Sequence, residues 1–148
     1  MSKSKRLSPL VRLAKHHEDQ AARTLQQTQS ELEAQRTRRE DLRRFRDEYM
    51  TGFSLNAQGG LRGDQLQDYR RFLARLGEAL DQQDKAIDQA QTAVRHARQH
   101  WQTKHVRVAS LNKLVARAQT QERAVLEYRE QLELDERATQ AAVRPRPY

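Results

Sequence analysis

Apolar residues recur along this chain at intervals of three and four, and Arg, Gln, Glu and Lys fill most of the positions between them. The second half carries the clearer pattern. One column of sevens reads Leu66, Leu73, Leu80, Ile87, Val94, Trp101, Val108 and Val115. The other reads Tyr69, Leu76, Gln83, Ala90, Ala97, Lys104, Leu111, Ala118, Val125 and Leu132, with polar lapses only at Gln83 and Lys104. A heptad held this long predicts a helix in a coiled coil. The first half carries a weaker seam. Leu7, Ala14, Ala21, Thr28, Leu42 and Tyr49 fall on multiples of seven, and Leu10, His17, Leu25, Leu32 and Phe45 fill the intervening positions. Ser8 is a suitable cap for this helix and Pro9 a suitable first residue.

Gly52, Gly59, Gly60 and Gly63, with Ser54 and Asn56, are the strongest break signal in the chain. Beyond them Asp64 can cap a second helix, with Gln67 reaching back as in a capping box. The expected fold is therefore all-α: an antiparallel two-helix coiled-coil hairpin whose second helix is longer than the first. Helix 1 is expected over about 8–52, the loop over about 53–63 and helix 2 over about 64–140, all in one domain, 1–148, with a basic proline-containing tail at 143–148. With the loop centred near residue 59, helix 1 runs out where helix 2 reaches about residue 110. The stripe Leu111, Val115, Ala118 and Val125 would then lack a partner in the chain, and an unpartnered stripe predicts binding to another protein or to a second copy.

Composition agrees with helices that each bury one narrow stripe. Only 36% of the 148 residues are hydrophobic and 32% are charged, with mean hydropathy −1.07, too polar for a thick core. A disordered chain would not hold the heptad register. There are no cysteines, so disulfides and thiolate metal sites are excluded. No apolar run approaches the roughly 20 residues of a membrane span, and MSKSKRLSPL lacks the apolar core of a secretory signal, so a soluble intracellular protein is expected. The net charge of +8, with pI near 10.3, draws the chain toward acidic partners.

Candidate chemistry is sparse. AQGGLRGDQ lacks the Lys-Ser/Thr of a phosphate-binding loop. His96 and His100 are spaced for one helix face, but a zinc site needs further ligands, and His96, His100 and His105 on solvated faces beside Trp101 are the plainer reading. Glu40-Asp41 and Asp47-Glu48 lie among arginines, with no pocket expected that would tune them for catalysis, so an enzyme is not expected and no cofactor or metal is implied. Arg36, Arg38, Arg39, Arg43, Arg44 and Arg46 form a band that hairpin pairing would join to Arg70, Arg71 and Arg75. Acids break this band, and a nucleic-acid-binding coiled coil would need a contiguous basic segment free of them, which is not expected here. Phe45, Tyr49, Phe53, Tyr69 and Phe72 crowd around the glycines. Pairing places Phe45 and Tyr49 beside Phe72 and Tyr69. The resulting apolar stripe is wider than two helices bury, so part of it should face solvent.

Three stretches carry a family resemblance: SPLVRLAKHHEDQAAR at the start, LRRFRDEY before the glycines, and LQDYRRFLARLGEALDQQ after them. With them the chain resembles the flagellar FliJ family, coiled-coil components of the flagellar type III export apparatus. The resemblance implies a central stalk of the export ATPase hexamer that promotes ring assembly. It also implies contact with the export gate protein FlhA, coupling of energy to substrate export, and binding of export chaperones. The family's gate-binding patch falls on Leu42, Phe45, Tyr49, Phe72, Leu76, Ala79 and Gln83, with Arg38 and Gln83 standing where the family pattern has other polar residues and Phe45 where it has a tyrosine. The ATPase contact of the family lies at the end carrying both termini, which matches Leu111, Val115, Ala118 and Val125. The implied location is cytoplasmic, peripheral to the cytoplasmic face of the membrane, with no membrane insertion and no nucleic acid. The alternatives are the equivalent stalk of a virulence injectisome and a basic coiled-coil scaffold or nucleic-acid-binding protein.

Overall fold

The structure is a computed structural model that describes residues 2–143. Two helices account for nearly all of them, α1 over Lys3–Ala57 and α2 over Gly63–Val143, and no strand occurs among the described residues. Of the expected tail, 144–148 lies outside the described residues. The second helix is the longer, 81 residues against 55. Among the described residues no helix is long and apolar enough to cross a membrane.

Both helices outrun their expected ends. Ser2, not Ser8, caps α1. Its carbonyl accepts from the Arg6 N–H at 3.1 Å and its hydroxyl from the Lys5 N–H at 3.4 Å. Pro9 therefore lies inside the helix. A contact from α2 holds this first stretch: the Ser4 N–H and hydroxyl donate to the two Glu122 carboxylate oxygens at 3.0 and 2.7 Å. At the other end α1 continues through Gly52 to Ala57. Gly in a helix costs about 1 kcal/mol. The Phe53 ring, stacked 3.6 Å from Tyr69 at 7°, offsets that cost.

The connection shrinks to residues 58–62. Gly60 turns the chain with φ 93°, and its N–H donates to the Ala57 carbonyl at 3.1 Å. The reach-back expected of Gln67 is made by Gln65, whose Oε1 accepts from the Arg62 N–H at 3.1 Å. Arg62 is thus the cap and Gln65 the third helical residue, one half of a capping box set two residues early. Asp64 lies in the first turn, where a carboxylate suits the helix dipole, and accepts from the Gln65 N–H at 3.0 Å.

The described chain divides into two compact units. The loop unit comprises residues 20–102, and the terminal unit comprises 2–19 with 103–143. The loop unit is an antiparallel helical hairpin. Its core is Ala21, Leu76, Leu80, Ala90, Val94 and Ala97. The Gln83 amide crosses the seam to donate to the Gln35 carbonyl at 2.8 Å and to its side-chain oxygen at 2.6 Å. This polar layer ties the two side chains together and specifies their alignment. In the terminal unit Ala14, Val108 and Ala118 are buried, with Leu7, Val11, Leu111 and Val115 half-buried around them.

The α2 columns pack as expected from Leu66 through Ala118. The second α1 column does so only at Leu25 and Leu32. Leu10, His17 and Phe45 are exposed, while the positions one residue later, Val11, Glu18 and Arg46, are buried or half-buried. The covered stripe runs 7, 11, 14, 18, 21, 25, 28, 32, 35, 39, 42, 46, 49 and 53. The α1 step is four residues after each first-column position, not three.

Candidate protein-interaction site

The aromatics of the loop unit interleave. Phe45, Tyr49 and Phe53 stand on successive turns of α1, and Phe72 and Tyr69 come up between them from α2. Phe45 meets Phe72 edge to face at 5.9 Å and 71°. Tyr49 lies 4.2 Å from Phe72 and 5.6 Å from Tyr69, and Phe53 closes the series on Tyr69. Four of the five rings are half-buried; Phe45, 50% exposed, is the outer one. The aromatics thus do two jobs, joining the helices next to the loop and leaving one ring open to solvent.

The expected gate patch separates accordingly. Leu42, Tyr49, Phe72 and Ala79 are half-buried. They form an accessible margin around Phe45. Leu76 is buried in the core, and the Gln83 amide is engaged with Gln35. Those two support the surface from beneath and do not present a free contact. Arg46 is a residue that pattern reading assigned to the basic band alone. It sits in the seam, its Nε buried without a hydrogen-bond partner, while its guanidinium reaches the neighbouring Asp47 at 3.4 Å. Arg39 lies in the same stripe and pairs with Asp84 across the helices. A charged residue in an apolar column gives no hydropathy signal, so only the spacing from Leu42 and Phe53 could have placed them.

The terminal unit overturns the expected overhang at Ser110. Because α1 begins at Lys3 and Ser4 reaches Glu122, α1 covers Leu111 and Val115 partly and Ala118 almost fully, to 3% exposure. Of the four stripe residues only Val125, 50% exposed, is open. From Arg123 to Val143 every residue of α2 is exposed, including Leu126, Tyr128, Leu132 and Leu134. The open stripe therefore begins about four turns later than the pairing rule expected.

Two polar contacts hold the terminal unit. The Ser4 N–H and hydroxyl, with help from Lys5, keep the Glu122 carboxyl below its ordinary value of 4.5. Glu18 is buried in the seam. One of its oxygens accepts from Lys15 Nζ at 3.3 Å and lies 3.4 Å from His105 Nδ1. The bond to Glu18, with Asp19 nearby, raises the Lys15 amine above 10.5. His96 and His100 are both exposed, and no group of three or more His, Asp or Glu is placed to hold a metal ion among the described residues.

The charge map corrects a second expectation. Residues 89–121 contain no Asp or Glu, and neither do residues 2–17, so acid-free basic segments do exist. The arginine band at 36–46 hid them, because attention to clustered arginine passes over a stretch defined by missing acids. Within the terminal unit, residues 2–17 and 103–121 carry nine Lys and Arg between them.

Residues 2–147 match the family model described as the flagellar FliJ protein. No curated protein and no solved structure is significantly similar to the chain.

Proposed function

The chain belongs to the flagellar FliJ family, a family of flagellar export components, and on that premise we propose that it is the central stalk of the export ATPase ring, linking that ring to the export gate. Two stretches of open apolar surface, one on each unit, support this reading. In the loop unit, Phe45 with the margins of Leu42, Tyr49, Phe72 and Ala79 offers an aromatic contact of the kind that anchors protein interfaces. It is assigned to the gate protein FlhA, with Leu76 and Gln83 holding it in place. In the terminal unit, the exposed α2 segment that starts at Val125 is assigned to the ATPase. Leu111, Val115 and Ala118 act there only through the helix they build with α1. A chain without a phosphate-binding loop influences an ATPase by entering its ring and biasing subunit contacts, and the acid-free basic surface next to Val125 steers such entry toward an acidic pore. Ring assembly, energy coupling, chaperone binding and location at the cytoplasmic face of the membrane belong to the same proposal.

The test is co-purification of this chain with the export ATPase and with the cytoplasmic domain of the gate protein from the same organism. Both are expected to be retained, the ATPase in its assembled form. Retention of neither ends the proposal. Retention of injectisome counterparts in their place assigns the chain to the sister system.

A further inference from the structure

The leucines that the α1 seam leaves out lie together. In the terminal unit α1 faces α2 through Leu7, Val11, Ala14 and Glu18, and α2 answers with Val108, Leu111, Val115 and Ala118. Leu10 and Leu13 each stand one residue before an α1 stripe position, and Leu114 stands one residue before Val115. At about 100° per residue, each is turned off its stripe in the same rotational sense. In an antiparallel pair, equal turns from the two stripes point to the same side. The grooves agree: Lys3 and Gln121, each one residue before a paired position, line one groove, and Ser8 and Asn112, each one residue after, line another.

Leu10, Leu13 and Leu114 are 47%, 52% and 42% exposed. The neighbouring positions on their side are Lys3, Arg6, His17, Arg107, Ser110 and Arg117, with no acid among them. The opposite side is built by the same two helices and provides the contrast. Its positions are Ser8, Arg12, Lys15 and Asp19 on α1, and Ala109, Asn112, Ala116 and Gln119 on α2, with no large apolar side chain. One side of the unit is thus an apolar strip fed by both helices and bordered by cations.

We propose that this side seats a third helix, an amphipathic helix of a partner protein with an apolar stripe and acidic flanks. Leucines from two adjacent helices make a strip one helix wide, and the stretch from Lys3 to His17 is about four turns long. The cationic border selects the charge of the incoming flanks. An anionic bilayer fits less well. Beyond Gln121, residues 122–137 carry six Asp and Glu against three Arg, so a flat anionic surface lying along α2 would meet net like charge there. Nucleic acid fits less well too, because residues 2–17 and 103–121 contain no Phe, Tyr or Trp on which a base could stack. The docking side includes neither Phe45 nor Val125, so it goes beyond the stalk reading.

The probe is a fluorescein-labelled synthetic amphipathic peptide of about five turns, with a leucine stripe and glutamate flanks. A twin carries lysine in place of each glutamate. Anisotropy titration against the full chain is expected to show the glutamate peptide binding at least about tenfold tighter than its twin. The combined variant Leu10→Ser, Leu13→Ser, Leu114→Ser should weaken the glutamate peptide by about tenfold or more. The control Ser8→Ala, Asn112→Ala on the other side should leave it unchanged. Because the three leucines are exposed, circular dichroism should show the triple variant as helical as the parent. Arg6→Glu, Arg107→Glu is a second variant, independent of the leucines, and should invert the preference toward the lysine twin. Equal binding of the twins, an unaltered triple variant, or tighter binding to phosphatidylglycerol vesicles or duplex DNA than to the peptide would overturn the proposal. So would sedimentation showing a dimer that the triple variant abolishes, since a second copy would then occupy the strip. The leucine variant retains Val125 and every cation of the basic surface, so ATPase co-purification of that variant reports on the stalk reading separately.

Discussion

Tyr69 is the side chain on which the end of the loop unit depends. It stacks on Phe53 at 3.6 Å and on Tyr49 at 5.6 Å, joining two turns of α1 to the start of α2. Each aromatic pair contributes roughly 0.5–1.5 kcal/mol beyond area burial. Removing the half-buried ring forfeits a further 1–2 kcal/mol or so of burial. Alanine's better helix propensity returns about 0.5 kcal/mol. Tyr69→Ala should therefore cost about 2–4 kcal/mol, most of it local to the loop end. Phe45→Ala removes one edge contact from a ring that is half in water and should cost about 1 kcal/mol. Urea unfolding followed by circular dichroism gives the ranking, and amide exchange in residues 45–57 and 63–72 locates the loss. A Tyr69→Ala cost below about 0.5 kcal/mol, or one no larger than that of Phe45→Ala, would refute the division of these rings into fasteners and a free contact.

Arg46→Leu should stabilise the protein by about 1 kcal/mol in the same urea assay, because it removes a buried, unpartnered Nε from an apolar stripe. Gly60→Ala should destabilise by about 1 kcal/mol or more, because φ 93° is a backbone conformation that side chains resist; a neutral result means the loop adopts another turn. The Ser4–Glu122 contact should depend on pH. Glu122 has a lowered folded-state pKa, so its contribution is complete above the ordinary 4.5 and is lost as pH falls through the folded value. The stability gap between the parent and Glu122→Gln should therefore be open at neutral pH and close in acid; a gap independent of pH would mean that the carboxylate charge plays no part.

The helix count, their order, the antiparallel pairing and the α2 columns were legible because α2 repeats apolar residues where it is covered. Leu66, Leu73 and Leu80 leave little choice of face. On α1 hydropathy pointed the wrong way. Leu10 and Phe45 are apolar and exposed, while Glu18, Arg39 and Arg46 are charged and lie in the stripe. A pattern search takes the leucine and the phenylalanine, because it cannot know that Ala14, Ala21 and their partners bring the helices together one step round. Helix ends were misplaced for a related reason. Ser8-Pro9 is locally a good start, but a carboxylate more than a hundred residues away captures Ser4 and extends the helix to Lys3. That shift moved the open part of α2 from Ser110 to beyond Glu122. The pairing of Phe45 and Tyr49 with Phe72 and Tyr69 near the loop was legible in the register, yet the division between buried Leu76, bonded Gln83 and open Phe45 needed the packed structure.

The central claim is that one open surface near the loop engages the gate and another at the α2 end engages the ATPase. Calorimetric titration of two exposed-site variants, Phe45→Glu and Val125→Asp, against both partners tests it most directly. Phe45→Glu should lower gate affinity by about tenfold or more and leave ATPase affinity unchanged, and Val125→Asp should do the reverse, with helix content held in both. Loss of both affinities in either variant, or of neither in both, would contradict the account.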